Sequence, residues 1–346
     1  MCVGGMATNW VEGFEMKNWK ACALLSLLIG FVAITPGTGK AGEAIRMRLA
    51  TFQASGTAEG NSFTWLGKRI EEMSGGRIKT EIYLDGALGA ERALLEMIRD
   101  NTLELCHGGT TGPGRFVSAL GVLELPYLFR DNAQLAIGLR AAIPYADELL
   151  APHGLKPMGF VDTGFRFMLT KNRPIYNVAD LKGLKMRAPN PVFAGMFKAF
   201  GANVAQIDWM EVYSALQSGV VDGMEAGPNQ IYAMKFYQQA KYMSKTYHVA
   251  GFMFHIVNKK WFDSLPKDLQ TIVRDAIEEA SDYSQKLSQT ETGSVINKIG
   301  EAGVKVNEVE DLNQFKAAVK DYKETFAKEK GAEGMKLYGI ISSAAK

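Results

Sequence analysis

Residues 45–83 read IRMRLATFQASGTAEGNSFTWLGKRIEEMSGGRIKTEIY, and this stretch decides the fold class. From Ile45 to Phe52, apolar Ile45, Met47 and Leu49 alternate with Arg46 and Arg48, the period-two pattern of a half-buried strand. Phe63, Leu66, Ile70 and Met73 then recur at helical spacing, and Ser74-Gly75-Gly76 supplies a stop. From Arg77 to Tyr83 alternation returns, with Ile78 and Ile82 inward and Lys79 and Glu81 outward. The order is strand, helix, strand, the opening of an α/β chain.

The same grammar continues outward. After the turn Asp85–Gly89, Leu94, Leu95 and Ile98 mark a helix and Leu103–His107 a strand. Ala133–Leu150 reads as a helix, Lys156–Val161 and Phe165–Thr170 as strands, Val192–Phe200 and Trp209–Ser218 as helices, and Val220-Val221 as a strand. Near Leu265 the character changes: Leu269, Ile272, Val273, Ala276, Ile277 and Ala280 open a helical pattern that persists to about Ile299, long enough to cross more than one lobe. There is no 20 to 50-residue repeat, low-complexity run or Pro/Ser linker, so the pattern favours two α/β lobes joined by crossing segments over beads on a string.

Composition narrows the function classes. The 346 residues are 47% apolar and 22% charged with a net charge of +2, and the charges are interspersed, without the basic stripe that tracks phosphates. The N-terminus reads as an export signal: Lys17 and Lys20, an apolar stretch from Ala21 to Ile34, the breakers Pro36, Gly37 and Gly39, and small residues from Ala41 to Ala44. Met16 is read as the true start, because residues 1–15 carry Glu12 and Glu15 and no positive charge. Cys2 and Cys22 are then discarded with residues 1–44, and Cys106 remains as a buried small hydrophobe with no disulfide partner.

Local catalytic motifs are missing. His107, His153, His248 and His255 never fall at i, i+3 or i+4 spacing and none suggests a metal site; no cofactor is expected either. There is no Gly-x-Ser-x-Gly elbow, and the glycines at 108, 109, 112 and 114 do not match Gly-x-Gly-x-x-Gly. Glu91, Glu96, Glu211 and Glu225 are available for acid/base work, but Asp208-x-x-Glu211 reads as a helix capping box. That box places Trp209 in the first turn of a helix, where its indole can lie flat against a ligand or pack in the core. Two arginines, Arg166 in Gly164-Phe-Arg-Phe-Met168 and Arg187 in Gly183-Leu-Lys-Met-Arg-Ala-Pro-Asn190, sit in short apolar strand-like stretches. Guanidiniums so placed can grip a carboxylate bidentately; pairing with a neighbouring Asp or Glu stands equally open from spacing alone.

Six runs taken in order break that tie. Ser74-Gly-Gly-Arg-Ile78, Tyr83-Leu-Asp-Gly-Ala-Leu-Gly89 with Glu91-Arg92, Leu125-Pro-Tyr-Leu-Phe129, Asp180 to Asn190, Glu211-Val-Tyr-Ser-Ala-Leu-Gln217 into Val220-Val-Asp-Gly223, and Leu265-Pro-Lys-Asp-Leu-Gln270 make the chain resemble the DctP-like solute-binding proteins of tripartite ATP-independent periplasmic (TRAP) transporters. The resemblance implies a two-lobed flytrap fold, with lobe I at 45–163 plus about 252–291 and lobe II at 164–251 plus about 292–346. It implies hinges near Asp162–Gly164 and Ala250–Phe252, and a periplasmic receptor that closes on a small organic-acid anion and delivers it to the membrane subunits of an ion-gradient-driven permease. It assigns the main carboxylate contact to Arg187 and assistance to Arg166, and it places Phe52, Gly109, Trp209 and Ala226 in the pocket. At Phe52, Gly109 and Ala226 the chain lacks the polar side chains of the sialic-acid-binding members, which points to a weakly hydroxylated carboxylate. A monomer is expected, with Leu312–Lys328 as either terminal packing or a dimer interface. An exported enzyme acting on organic acids and a binding protein serving a sensor kinase are the alternatives.

Overall fold

The computed structural model describes residues 43–344; the signal segment, Met16, Cys2 and Cys22 lie outside the described residues. The chain opens with β1 (Ile45–Ala50), α1 (Ala58–Met73), β2 (Ile78–Tyr83), α2 (Glu91–Arg99) and β3 (Leu105–Gly108). It continues through α3 (Asn132–Leu150), β4 (Leu155–Phe165), β5 (Phe167–Thr170), β6 (Lys185–Ala188), α4 (Pro191–Ala199), β7 (Asn203–Gln206), α5 (Val212–Ser218), β8 (Gly223–Ala226) and α6 (Pro228–Ala233). The remainder is β9 (Tyr242–Lys245), β10 (Ala250–Asn258), α7 (Lys259–Ser264), α8 (Lys267–Glu301), β11 (Lys305–Glu308), α9 (Leu312–Ala318), α10 (Lys320–Glu329) and α11 (Gly331–Ala344). No helix among them is long and apolar enough to cross a membrane.

The strands form two sheets, one per lobe, in the orders β2-β1-β3-β10-β4 and β11-β9-β5-β8-β6-β7. β1 pairs in parallel with β2 and β3, whereas β10 runs antiparallel to both β3 and β4. The alternation read in β1 puts Met47 and Leu49 into a core with Phe63, Leu66 and Ile70 of α1. α1 is started by Thr57, whose hydroxyl accepts from the Gly60 N–H.

Three segments pass between the sheets. The first is the step from β4 to β5, where Gly164 adopts φ +78° and the Arg166 N–H donates to the Val249 carbonyl at 2.9 Å. The expected single strand Phe165–Thr170 is therefore broken at Arg166, because the chain leaves one sheet at Phe165 and enters the other at Phe167. The second is the return from β9 to β10, and here glycine is required: a Cβ on Gly251 would lie 2.3 Å from Thr163 Oγ1 and 2.9 Å from the Gly164 carbonyl oxygen. Both crossings fall where the sequence places the hinges. The third is α8, 35 residues and so about 52 Å long, which packs Val273, Ala276 and Ala280 with the first lobe and Ile299 with the second.

Three other expectations change. Val220-Val221 is not a strand: Gly219 at φ +76° ends α5, Val220 is exposed, and the strand starts at Gly223. Asp208 caps no helix with its side chain; its backbone carbonyl takes the Glu211 N–H at 3.0 Å, closing a 3-10 turn over Trp209–Glu211. The last helix, expected with lobe II, packs on α3, where Leu337 and Ile341 join the core of Leu135 and Leu139 and Lys336 stands over the Tyr145 ring. Within Leu312–Lys328, Phe315, Val319, Phe326 and Ala327 are buried in the chain's own core.

Glu59 is buried in the first turn of α1, and among the described residues no cation or well-aligned hydrogen-bond donor meets its carboxylate oxygens. Burial pushes its carboxyl up to about 7. The folded state thus holds the proton to higher pH than the unfolded chain does, and stability falls as pH rises from the ordinary carboxylate range through 7. Glu59→Gln is expected to raise stability at pH 8 by on the order of 1–3 kcal/mol and to change it little at pH 4, read by thermal unfolding at the two pH values.

Candidate functional site

β6 and α4 decide where the cations go. Within β6, Met186 and Ala188 enter the core, and Arg187 is buried with only 2% exposure. Asn190 then caps α4, accepting from the Val192 and Phe193 N–H groups at 3.0 and 3.2 Å. Arg187 lines a cleft of about 920 Å³, counted to its open mouth, together with Phe52, Gly109, Arg166 and Trp209.

The two arginines have different surroundings. Arg166 Nε and Nη2 grip Glu225 side-on, the second contact at 2.9 Å, and Nη2 also donates to the Glu225 carbonyl at 3.0 Å. Glu225 is fully buried on β8, with His248 Nε2 3.3 Å from its Oε2 and Thr246 Oγ1 2.7 Å from His248 Nδ1. Burial alone would push Glu225 up, but the Arg166 charge and hydrogen bonds, with His248, override it and bring the carboxyl down to about 2. The acid pairing that the sequence left open for both arginines is thus realised at Arg166.

Among the described residues Arg187 has no such partner. Its Nε donates to the Ile207 carbonyl at 2.9 Å, its guanidinium carbon lies 5.7 Å from the centre of the Trp209 ring, and Nη1 is buried without an acceptor. Burial lowers its pKa to about 10; the Glu225 charge opposes this, the Arg166 charge adds to it, and the smaller Asp208 and Glu91 charges offset only part. A buried guanidinium without a carboxylate beside it is suited to pair with an anion.

Phe52 and Gly109 stand on the cleft wall, and a Cβ on Gly109 would be 3.6 Å from Glu91 Oε1. Ala226 does not line the cleft. The strand alternation that turns Glu225 toward Arg166 turns Ala226 into the second-lobe core with Phe167 and Leu169. Sequence reasoning also left unassigned Gln53, Glu124, Phe193, Gln230 and Met253, all on the wall. Glu124 accepts from Thr110 and, at 2.8 Å, from Asn190 Nδ2, so it ties the turn before α3 to the start of α4. The one readable hint was a carboxylate inside the apolar run Leu123-Glu-Leu-Pro126.

Glu91 opens α2 at the cleft and accepts from the Gly112 N–H at 3.3 Å. Burial first, and then the Glu124 charge, push it up to about 7. As pH rises through 7 Glu91 becomes an anion on the wall, so affinity for an anionic ligand is expected to fall several-fold between pH 6 and 8. Glu91→Gln should flatten that profile, read by titration calorimetry across the range.

Comparison with known proteins places this geometry. The family described as bacterial extracellular solute-binding protein, family 7 (DctP) matches residues 49–330. A solute-binding protein of Verminephrobacter eiseniae is 31% identical over 313 residues, covering 89% of this chain and 93% of that protein. The 2,3-diketo-L-gulonate-binding periplasmic protein YiaO of Escherichia coli K12 is 30% identical over 249 residues, covering 71% of this chain and 75% of YiaO. Among solved structures, a TRAP periplasmic solute-binding protein of Bradyrhizobium in complex with galacturonate superposes with a TM-score of 0.80 at 27% identity, covering 87% of this chain and 99% of the other. A match over most of the chain, the two-lobed architecture and a cleft holding an unpaired arginine agree: the chain belongs to the DctP family of solute-binding proteins, the organic-acid receptors of TRAP transporters.

Proposed function

We propose that this protein is a periplasmic receptor whose Arg187 holds the carboxylate of a small organic acid, and that closure of the two lobes then presents the acid to the membrane subunits of a TRAP permease. The observation that carries the reading is the Arg187 guanidinium, buried in the cleft with Nη1 unpartnered while Arg166 is held by Glu225. In this reading Arg166 assists by its charge and by orienting the wall, and Phe52, Trp209 and Phe193 flank the body of the ligand. Lobe I comprises 45–163 and about 252–291, lobe II comprises 164–251 and about 292–330, and α11 rides on lobe I. Residues 1–44 act as the export signal. The protein works by binding and release, so the acid recovered from it is chemically unchanged.

Relatives whose names record diketogulonate or galacturonate handle strongly hydroxylated acids. Here Phe52 and Gly109 offer a hydroxyl no side-chain partner, while Gln53, Thr111, Arg115, Thr163, Asp208 and Gln230 also line the cleft. The absence of polar side chains at positions 52 and 109 favours an acid with fewer hydroxyls than the ligands named for those relatives. A thermal-shift screen of mono- and dicarboxylates tests the proposal, because an acid at 100 times its dissociation constant stabilises the fold by about 2.7 kcal/mol. A rise in midpoint with a sparsely hydroxylated carboxylate supports it; a response confined to neutral sugars or to amines contradicts it.

A further inference from the structure

Asn190 divides its hydrogen bonds between the two lobes. It follows β6 of the second sheet, and its Oδ1 accepts from the Val192 and Phe193 N–H groups that open α4 in the same lobe. Those two donors fix which end of the amide is oxygen, so the end facing away from α4 is the NH2 group. Nδ2 reaches the first lobe, donating to Glu124 Oε2 at 2.8 Å and to Thr111 Oγ1 at 3.2 Å. Thr111 follows β3 of the first sheet, and Glu124 ends the 3-10 segment Ser118–Glu124 that leads toward α3. Thr110 donates its hydroxyl to the same Glu124 oxygen, and Thr110, Glu124 and Asn190 are all buried.

The packing around this bridge is close. A Cβ on Gly121 would lie 2.8 Å from Val192 Cγ2, so a glycine in the first lobe lets it meet the first turn of α4. From α10, Tyr322 Oη donates to the Val192 carbonyl at 2.7 Å and holds the same turn. Arg187 stands on the strand that leads directly into Asn190, so the cation and the bridge move together. Separation of the lobes parts Asn190 from Glu124 and Thr111. A hydrogen bond to a carboxyl group that is made only while the lobes are together favours the closed state by its own free energy. Resting on the closure described above, we propose that Glu124 is a positioning residue which, with Asn190, forms a latch between the lobes and sets how long a bound acid is held. Because the latch is made as the lobes close over a docked acid, it slows dissociation and has little effect on association.

Stopped-flow tryptophan fluorescence, with Trp209 in the cleft as reporter, tests this in the full mature chain with galacturonate, succinate and 3-phenylpropanoate. Asn190→Asp keeps a capping oxygen for α4 but replaces the donor by a carboxylate facing Glu124. It should speed dissociation by about 10- to 100-fold and leave association within about threefold. Combining it with Glu124→Gln restores one donor and one acceptor in reversed order, and should recover most of the lost lifetime, with Glu124→Gln alone as the baseline. Glu124→Leu removes the acceptor from the other lobe and should accelerate dissociation likewise if Asn190→Asp folds poorly. A role confined to folding would instead lower the unfolding midpoint of the free chain and leave dissociation from the folded fraction unchanged. Unchanged dissociation, a loss carried by association, equal loss in the single and double variants, or no binding of any of the three acids by the wild type overturns the latch. Arg187→Ala separates it from the carboxylate anchor: normal binding there removes the anchor, whereas loss there with unchanged dissociation from Asn190→Asp removes only the latch.

Discussion

Arg187→Ala is expected to lose carboxylate binding almost entirely while leaving the free protein no less stable. Truncating one partner of a buried charge pair costs about 2–5 kcal/mol of binding, which is roughly a 30- to 4,000-fold loss of affinity. The free protein tells the opposite story. In the unliganded fold Arg187 is a buried cation facing no carboxylate, and burial has lowered it to about 10. Its charge therefore opposes folding at neutral pH, and removing it relieves that cost even as the packing over Trp209 is lost. Thermal unfolding with and without ligand reads both effects: the midpoint of the free variant should hold or rise, and the ligand-induced shift should vanish. A variant that unfolds early in the absence of ligand would show that the arginine supports the fold.

Glu225→Ala is expected to do the reverse and damage the fold first. It leaves Arg166 buried without its carboxylate and removes the acceptor facing His248 Nε2. Breaking a buried ion pair on one side costs about 3–5 kcal/mol, which should appear as a drop of several degrees in the unfolding midpoint. The sign of the pH dependence follows from the low value of Glu225, near 2 when folded. Its stabilisation is fully present above the ordinary carboxylate pKa of about 4.5 and fades as pH falls toward 2. The difference in midpoint between wild type and Glu225→Ala should therefore be large at pH 7 and shrink by pH 3. A constant difference across that range would mean that side-chain volume, and not charge, is what the substitution removes.

Both experiments turn on a distinction that the sequence shows only in part. Period-two and helical spacing reveal most of the elements, since β1, α1, α2 and α8 are amphipathic and their patterns reflect which face is buried. Patterns that reflect tertiary pairing are harder to read. Phe165–Leu169 is uniformly apolar apart from Arg166, so nothing local marks the step between sheets that occurs there. Val220-Val221 has strand composition and is nonetheless a turn set by Gly219. The two arginines likewise look alike in sequence, each embedded in a short apolar strand. Only the fold shows that β8 brings Glu225 to Arg166 and brings no carboxylate to Arg187. Family resemblance names Arg187 as the main carboxylate contact without supplying a structural reason for preferring it. It also placed Ala226 in the pocket, where strand alternation turns it into the core. Glu91 and Glu124 were visible as acidic residues, but their meeting on one wall depends on long-range packing that no spacing encodes.

The most direct measurement is a crystal structure of the mature chain with the carboxylate that gives the largest thermal shift. The account predicts a carboxylate oxygen within hydrogen-bonding distance of Arg187 Nη1, about 3 Å, with the Arg166–Glu225 pair intact beside it. A ligand whose acid group sits on other donors, with Arg187 Nη1 still unpartnered, would contradict it.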